Sequence, residues 1–289
     1  MTKRSRDVVT DEDVLALTQH VVSAQIKRFW QKKCKLVIPV TQPHRPRAGS
    51  HFHTFSELFI QLSGIGRQHL PEKVLHQGPL QMCLVPRLTA HVGQVVRQPC
   101  HILVISALHG RITLLLSRDD EANVAACVTS PLADRLEQCC SDIIECSRGD
   151  NKSAMQGYTL ATLGMLLEAI QGRAAGTSEP HKIMQCRHLI QDGIGDKSLS
   201  VGRLAKTVNC SRDYLSHLFH AHTGKRLVEY INQQRIARAC ELLDHTDLNV
   251  SETAIACGYP DPSYFTWLFR KTVGMTPKGY RQRYKSTAK

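Results

Sequence analysis

The last third of the chain contains one apolar pattern twice, about fifty residues apart. In residues 199–219 and again in residues 250–271, a short amphipathic segment is followed by a turn and a second amphipathic segment. A small residue, Ala205 in the first copy and Ala254 in the second, lies where two crossing helices approach closely. Apolar residues spaced by three and four positions are typical of helices. The sequence therefore predicts two helix-turn-helix units.

The second helix of each copy has a short polar or mixed outward face. In the first copy, Ser200 and Ser211 are suited to cap the two helices, and Asn209-Cys210 forms the turn. A helix that reads the major groove needs donors, acceptors or apolar groups on its outward side. The predicted outward residues are Arg212, Asp213, Ser216 and His217 in the first copy, and Pro262, Ser263, Thr266 and Trp267 in the second.

The segment between the two units predicts one long helix. Residues Leu227–Leu243 are amphipathic over about 17 residues, or roughly 26 Å at 1.5 Å per residue. Such a helix could separate two reading helices by about one DNA turn, ~34 Å. Residues 181–289 hold 17 Lys and Arg against 9 Asp and Glu, a net +8 of the chain's +12. This excess favours a polyanionic partner, and double-stranded DNA fits it.

A long run of specific residues follows the turn of the second unit. It reads Gly258-Tyr-x-Asp-x-Ser-Tyr-Phe-x-x-x-Phe-Arg-Lys-x-x-Gly-x-Thr-Pro-x-x-Tyr-Arg281, with Gly224, Arg235 and Ala239 upstream. This run resembles the signature of the AraC/XylS family of bacterial transcription regulators. The resemblance covers about 100 residues. It implies that the helices Ser211–Phe219 and Ser263–Arg270 enter successive major grooves on one face of DNA.

The same resemblance assigns further roles and shows two departures. It places Lys271, Tyr280 and Arg281 near phosphates, although Tyr280 and Arg281 could instead close the end of the domain. It also implies contact with RNA polymerase where the protein acts as an activator. Thr253 stands where the family usually has a large aliphatic residue, which predicts a looser core. Trp267 stands where a polar or basic residue is common, so it could contact thymine methyls or sugar, or pack internally.

The first half of the chain changes from helical to strand-like patterning. Residues 11–34 predict one amphipathic helix beginning near Thr10 or Asp11, and Leu36 to about Leu116 predict a small β-barrel or sandwich. Two amphipathic helices follow, Pro131–Cys146 and Ala154–Ala174. They could cover a core, but we favour dimerisation through an exposed stripe.

Histidines and one glutamate in the strand region have a spacing of their own. The segment Gly49-Ser-His51-Phe-His53-Thr-Phe-Ser-Glu57, with Gly64 beyond it, resembles the first motif of the cupin superfamily, and Gly78 to Pro86 with His91 resembles part of the second. On a strand, residues 51, 53 and 57 point to one side. The predicted ligand-binding residues are His51, His53, Glu57 and His91.

Three roles remain open for this cluster. It could bind a small-molecule effector, which we favour, form a hydrogen-bonded structural group, or hold Fe, Mn, Ni or Zn. No cofactor is predicted, because Val95 replaces the usual second-motif Asn. A metal-dependent cupin enzyme is therefore the less favoured alternative to a regulator, as is a non-specific architectural DNA-binding protein. The chain is not expected to be an enzyme.

Together these patterns predict an α+β protein with two functional parts. Residues 1–130 are expected to form a cupin-like effector-sensing domain, 131–174 a dimerising helical hairpin, 175–180 a linker, and 181–286 an all-helical DNA-binding domain. Eleven cysteines without CxxC pairs or regular spacing argue against a disulfide framework. The start lacks a secretory apolar segment, and no apolar run reaches membrane length, so a cytoplasmic protein that does not contact membrane is expected. The dimerising hairpin makes a homodimer the expected assembly.

Overall fold

The computed structural model describes residues 9–39, 53, 55–70, 73–108, 110–118, 123–172 and 180–285. Its N-terminal part is rich in strands and its C-terminal part is helical, which confirms the α+β class. The chain forms two compact units. The sheet unit comprises residues 1–41, 55–87 and 93–181, and the helical unit comprises residues 42–54, 88–92 and 182–289. The predicted linker, 175–180, lies outside the described residues except for Pro180.

Helix α1, Asp11–Trp30, begins where the sequence predicts. The Thr10 side chain accepts a hydrogen bond from the Asp13 backbone amide, and the Asp13 carboxylate accepts one from the Thr10 amide. These hydrogen bonds satisfy amides that a helix start leaves unpaired. The Thr10 hydroxyl also donates to the Asp13 carboxylate, and this hydrogen bond, together with the one from the Thr10 amide, lowers the pKa of Asp13. The helix ends before residue 34, and its buried side, including Val14, Val22 and Phe29, packs into the core of the sheet unit.

Seven strands form one sheet within the described residues. They are β1 Leu36–Val37, β2 Glu57–His69, β3 Val74–Gln77, β4 Met82–Val85, β5 Val92–Leu108, β6 Arg111–Arg118 and β7 Val124–Thr129. Their order is β1-β4-β2-β5-β6-β7, and β3 pairs with β2. The β1 strand runs parallel to β4, whereas the other described pairings are antiparallel. The predicted sheet-rich region is confirmed, and its closure into a cupin barrel stays a prediction.

The helical hairpin consists of α2, Ala133–Arg148, and α3, Lys152–Gln171. Both helices contribute to the core of the sheet unit: Leu136 and Ile143 from α2, and Leu163 from α3, are almost fully buried. Helix α1 packs against α3 as well. The apolar stripe therefore covers a core, the alternative to dimerisation that the sequence left open.

The helical unit contains seven helices within the described residues. They are α4 His181–Gly193, α5 Val201–Thr207, α6 Arg212–Thr223, α7 Leu227–His245, α8 Val250–Ala256, α9 Pro262–Val273 and α10 Pro277–Lys285. One apolar cluster joins α4, α5 and α6 to the first part of α7, and a second joins α8 and α9 to its later part. The two helix-turn-helix units thus have separate cores on one linking helix.

All eleven cysteines are free thiols. Burial raises the pKa of Cys83 and of Cys257 to about 12, so both remain protonated and unreactive at neutral pH. These two residues therefore pack as small apolar side chains. No helix in the described part of the chain is long and apolar enough to cross a bilayer.

Candidate nucleic-acid interface

The first helix-turn-helix unit is built from α5 and α6, and serine caps begin both helices. The Ser200 side chain accepts from the Arg203 amide, and the Ser211 side chain accepts from the Tyr214 amide, as predicted. Between the helices, Asn209 has a left-handed backbone with φ of +52°. Asparagine is one of the few residues other than glycine that adopt this conformation readily. The turn therefore follows directly from the sequence.

The second unit, α8 and α9, has the same design with different residues. Asn249 and Glu252 form a capping box at α8, and Asp261 caps α9 by accepting from the Ser263 amide. Pro262 occupies the first turn of α9, where its missing N–H costs no hydrogen bond. The left-handed turn position is Gly258, with φ of +79°.

The two second helices have nearly the same pattern of burial. Residues 211–220 and 261–270 follow the same order of buried, half-buried and exposed side chains at nine of ten positions. Each residue of α6 therefore has a counterpart fifty positions later in α9. Phe219 and Phe269 are both fully buried. Serine at 216 corresponds to threonine at 266, and His217 corresponds to Trp267. The duplication predicted from sequence is therefore present in three dimensions.

The predicted outward residues of α6 are accessible. Arg212, Asp213 and His217 are exposed, and Ser216 is half-buried, with its hydroxyl donating to the Arg212 carbonyl. Their side chains offer a guanidinium, a carboxylate and an imidazole on one side of the helix. These groups can donate to and accept from base edges.

The outward face of α9 is aromatic. Trp267 is 56% exposed, and its indole stacks on the ring of Tyr264, with centroids 5.9 Å apart. The ammonium of Lys271 lies 5.1 Å from the indole centroid. Trp267 therefore does not pack internally, one of the possibilities that the sequence left open. Sequence reasoning missed Tyr264 as an outward residue, although its counterpart Tyr214 is exposed in the same way.

Helix α7 carries two buried arginines, and one of them, Arg235, joins the two helix-turn-helix units. The Arg235 guanidinium donates to the carbonyls of Ile194 and Asp196, and it lies 5.3 Å from the ring of Tyr259. Arg238 is almost fully buried, and this burial lowers its pKa to about 10. Because Ile194 and Asp196 precede α5 and Tyr259 precedes α9, Arg235 joins the loop of the first unit to the turn of the second.

Thr253 does not leave an unpaired polar group in the second core. It is fully buried, and its hydroxyl donates to the Asn249 carbonyl at 2.9 Å. A buried hydroxyl with a hydrogen-bond acceptor is tolerated in an apolar environment. The predicted loosening of the core stays a prediction.

Tyr280 and Arg281 take part in closing the end of the helical unit. The Tyr280 hydroxyl hydrogen-bonds to the Asp244 carboxylate, and its ring contacts Phe269 edge-on. The Arg281 guanidinium donates to the backbone carbonyls of Leu243 and Leu248. These contacts support the closing role that the sequence left open for both residues.

The Arg281→Ala substitution is expected to act mainly on stability. Loss of two hydrogen bonds from a charged donor should lower the free energy of unfolding of the helical unit by about 1–3 kcal/mol. If Arg281 does not contact phosphate, the slope of log K against log salt for DNA binding should not change. A lost phosphate contact would reduce that slope by about 1. Urea denaturation and salt titration measure the two effects, with exposed Lys278→Ala as the stability control.

The predicted ligand-binding residues of the first half are placed as follows. His51 lies outside the described residues. Glu57 opens β2 in the sheet unit, where it is buried opposite Val85 of β4. His53 and His91 belong to the helical unit, where both are buried with ring centroids 5.7 Å apart. Of the predicted set, this histidine pair is brought together within one unit.

The sheet unit also contains a small apolar cavity. Its lining includes Leu58 of β2, Ile105 of β5, and Leu136 and Cys140 of α2. A volume of about 20 Å³ has room for roughly one water molecule. Pockets for organic ligands are typically about 300–1,000 Å³. This cavity is therefore too small for an organic ligand.

Comparison with known proteins supports the prediction that the helical unit contains a helix-turn-helix domain. A family described as "Helix-turn-helix domain" matches residues 204–283. The chain is 38% identical over 93 residues to the transcriptional activator RhaR of Enterobacter sp. (strain 638), covering 32% of this chain and 33% of that protein. Residues 204–283 are an AraC-type helix-turn-helix domain. The predicted resemblance to AraC/XylS regulators is confirmed.

Other matches to this AraC-type domain have similar extent. YijO of Escherichia coli strain K12, an uncharacterized HTH-type transcriptional regulator, is 39% identical over 100 residues, covering 34% of this chain and 35% of that protein. The C-terminal domain of AraT, a response regulator from Geobacillus stearothermophilus, is 28% identical with a TM-score of 0.36, covering 36% of this chain and 87% of that chain. The chain spans about a third of the length of the curated relatives that it matches. These relatives are transcription regulators and not enzymes.

Proposed function

We propose that this chain is a sequence-specific DNA-binding transcription regulator that uses α6 and α9 as its two reading helices. The observation that carries the proposal is the duplicated exposure of the outward side chains on these helices within an AraC-type domain. A non-specific binder needs positive charge but not two equivalent faces of different chemistry. Sequence specificity therefore accounts for more of the structure than non-specific binding does.

The two reading helices are proposed to recognise DNA by different means. In α6, Arg212 can donate two hydrogen bonds to a guanine edge, and His217 and Asp213 can contact neighbouring bases. In α9, Pro262, Ser263, Thr266 and Trp267 face the bases, and Lys271 neutralises phosphate. Arg235 links the two helix-turn-helix units, because it joins the loop of the first to the turn of the second. This link favours a fixed spacing of α6 and α9.

Selection of DNA from a randomised pool tests this function. We expect enriched duplexes with two motifs about one helical turn, ~34 Å, apart. The Arg212→Ala variant should relax the preference at one base pair of one motif, at a cost of about 1–3 kcal/mol against the best site. Fluorescence anisotropy at fixed ionic strength, with matched and mismatched duplexes, measures this cost.

A control separates base reading from net charge. Arg148→Ala removes the same charge from an exposed position at the end of α2 and should leave the selected sequence unchanged. Equal weakening of all duplexes by Arg212→Ala, or no enrichment of any sequence, would favour the non-specific architectural alternative. Either result would contradict the proposed function.

The first half of the chain is proposed to sense a small-molecule effector through His51, His53, Glu57 and His91. The support is the cupin-like spacing of these residues together with the burial of His53, Glu57 and His91, because ligand pockets combine apolar walls with a few polar side chains that orient the ligand. Compounds screened against the protein on its selected duplex should include one that changes DNA affinity. A saturating effector that alters neither DNA affinity nor self-association would contradict the proposal.

Self-association and contact with RNA polymerase complete the proposal. Because the apolar stripe of α2 and α3 covers the core, a homodimer would use the outer side of the hairpin, where Tyr158 is exposed. Sedimentation of the purified chain measures its self-association, and a monomer at micromolar concentration would contradict the proposed homodimer.

Transcription in vitro from a promoter with the selected site would show whether the protein activates through contact with RNA polymerase.

A further inference from the structure

Trp267 is held in place on the surface of α9 by contacts on two sides. Its indole stacks on Tyr264 at an interplanar angle of 30°, and the Lys271 ammonium lies near the ring. Tyr264 in turn packs against the buried ring of Tyr259, with centroids 6.1 Å apart, and Arg235 lies near the ring of Tyr259. An exposed aromatic ring that is fixed in this way loses little freedom when it binds a partner.

The other outward positions of α9 carry only small polar groups. Pro262 has no N–H, the Thr266 hydroxyl donates to the Pro262 carbonyl at 2.8 Å, and the exposed Ser263 offers one hydroxyl. The indole nitrogen of Trp267 can only donate. By contrast, the corresponding positions of α6 carry Arg212 and His217. The largest outward group of α9 is therefore the apolar indole of Trp267, whereas the large outward groups of α6 are polar.

One group on the major-groove edges of DNA matches an apolar aromatic surface. The four base pairs present donors and acceptors there, and thymine alone adds a C5-methyl group. Contact between an apolar side chain and this methyl excludes water from both surfaces. Lys271 lies beside the indole, where its charge suits the adjacent phosphate.

We propose that α9 recognises its half of the DNA site by placing the Trp267 indole against thymine C5-methyl groups, so that this half is selected by methyl contact and the α6 half by hydrogen bonds. This inference rests on the proposed function. It assigns Trp267 as a specificity-determining residue and Tyr264 as the residue that positions it.

Replacement of thymine by deoxyuridine tests the inference, because it removes the methyl group and keeps base pairing. The α6 half of the selected duplex is the one that Arg212→Ala relaxes, and the α9 half is the other. Deoxyuridine in the α9 half should weaken binding by about four- to fifteen-fold, the effect of losing one or two buried methyl groups. The same replacement in the α6 half should change the affinity less than two-fold.

Variants of Trp267 complete a double-mutant cycle with the base. For Trp267→Ala, the affinities for thymine and deoxyuridine duplexes should become equal, whereas Trp267→Phe should retain part of the difference. His217→Ala, the counterpart in α6, should leave the thymine preference intact. Because Trp267 is exposed, its variants should fold, and circular dichroism checks this.

The possible outcomes distinguish failure of methyl recognition from failure of the proposed function. Strong binding to the selected duplex, with no effect of deoxyuridine in the α9 half, would overturn methyl recognition alone. A selected α9 half without thymine, or equal weakening of both duplexes by Trp267→Ala, would do the same and indicate contact with the sugar-phosphate backbone. Absence of any preferred sequence would instead overturn the proposed function, and this inference with it.

Discussion

Replacement of Gly64 by alanine is expected to lower the free energy of unfolding of the sheet unit by about 3–5 kcal/mol. Gly64 lies in β2 with φ of +69°, a conformation that disfavours any Cβ. An alanine Cβ there would lie 2.3 Å from the Pro99 carbonyl oxygen and 2.4 Å from that of Arg97, both in β5. Backbone atoms cannot move aside as a side-chain end can, so the two strands must separate locally. Hydrogen–deuterium exchange of β2 and β5 peptides measures the loss.

Gly110 provides a matched control for this prediction. It has φ of +74°, nearly that of Gly64, but a Cβ at this position would meet no atom within 4 Å. Gly110→Ala should therefore show only the backbone cost, about 1–2 kcal/mol. If the two variants were equally stable, close packing of β2 against β5 would not explain Gly64. The presence of glycine at position 64 would then require a different explanation.

The helical unit was more predictable from sequence than the sheet unit because its determinants are local. Helix starts depend on capping residues such as Ser200 and Ser211, and the burial of α6 depends on residues three and four positions apart. The sequence therefore predicts where α5 and α6 begin, although α6 continues to Thr223, one turn beyond the predicted end at Phe219. The linking helix α7 was predicted to end at Leu243 and continues to His245, a difference of half a turn.

Features that depend on distant residues were harder to predict. The sequence alone could not show whether the hairpin stripe faces α1 and the sheet or a second copy, because both alternatives bury the same residues. For Trp267, the sequence left both an internal and an external position open, and stacking on Tyr264 fixes it outward.

The two left-handed turns show how equivalent positions can accept different residues. Asn209 and Gly258 both follow the first helix of a unit and have positive φ. At Gly258, a Cβ would lie 2.8 Å from the Arg235 guanidinium and 2.9 Å from the Ile194 carbonyl oxygen. Arg235 donates to that same carbonyl. The close approach of Arg235 therefore adds a steric requirement for glycine in the second turn.

Replacement of Gly258 by alanine is accordingly expected to lower the free energy of unfolding of the helical unit by about 2–4 kcal/mol. Gly274→Ala is the control, since its φ is +85° but its Cβ would meet no atom within 4 Å, and it should cost about 1–2 kcal/mol. Urea denaturation followed by hydrogen exchange of α7 and α9 peptides measures both. If Gly258→Ala costs no more than Gly274→Ala, the Arg235 guanidinium moves aside freely and does not hold the two units together.

Gly258→Ala should also affect DNA binding in a way that a general loss of stability would not. If displacement of Arg235 loosens the join between the first loop and the second turn, the spacing of α6 and α9 becomes variable. Selected duplexes should then tolerate an inserted base pair between the two motifs better than they do with the wild-type protein, at a temperature where the variant is folded. An unchanged penalty for the inserted base pair would show that α7 alone sets the spacing, and that Arg235 contributes only to stability.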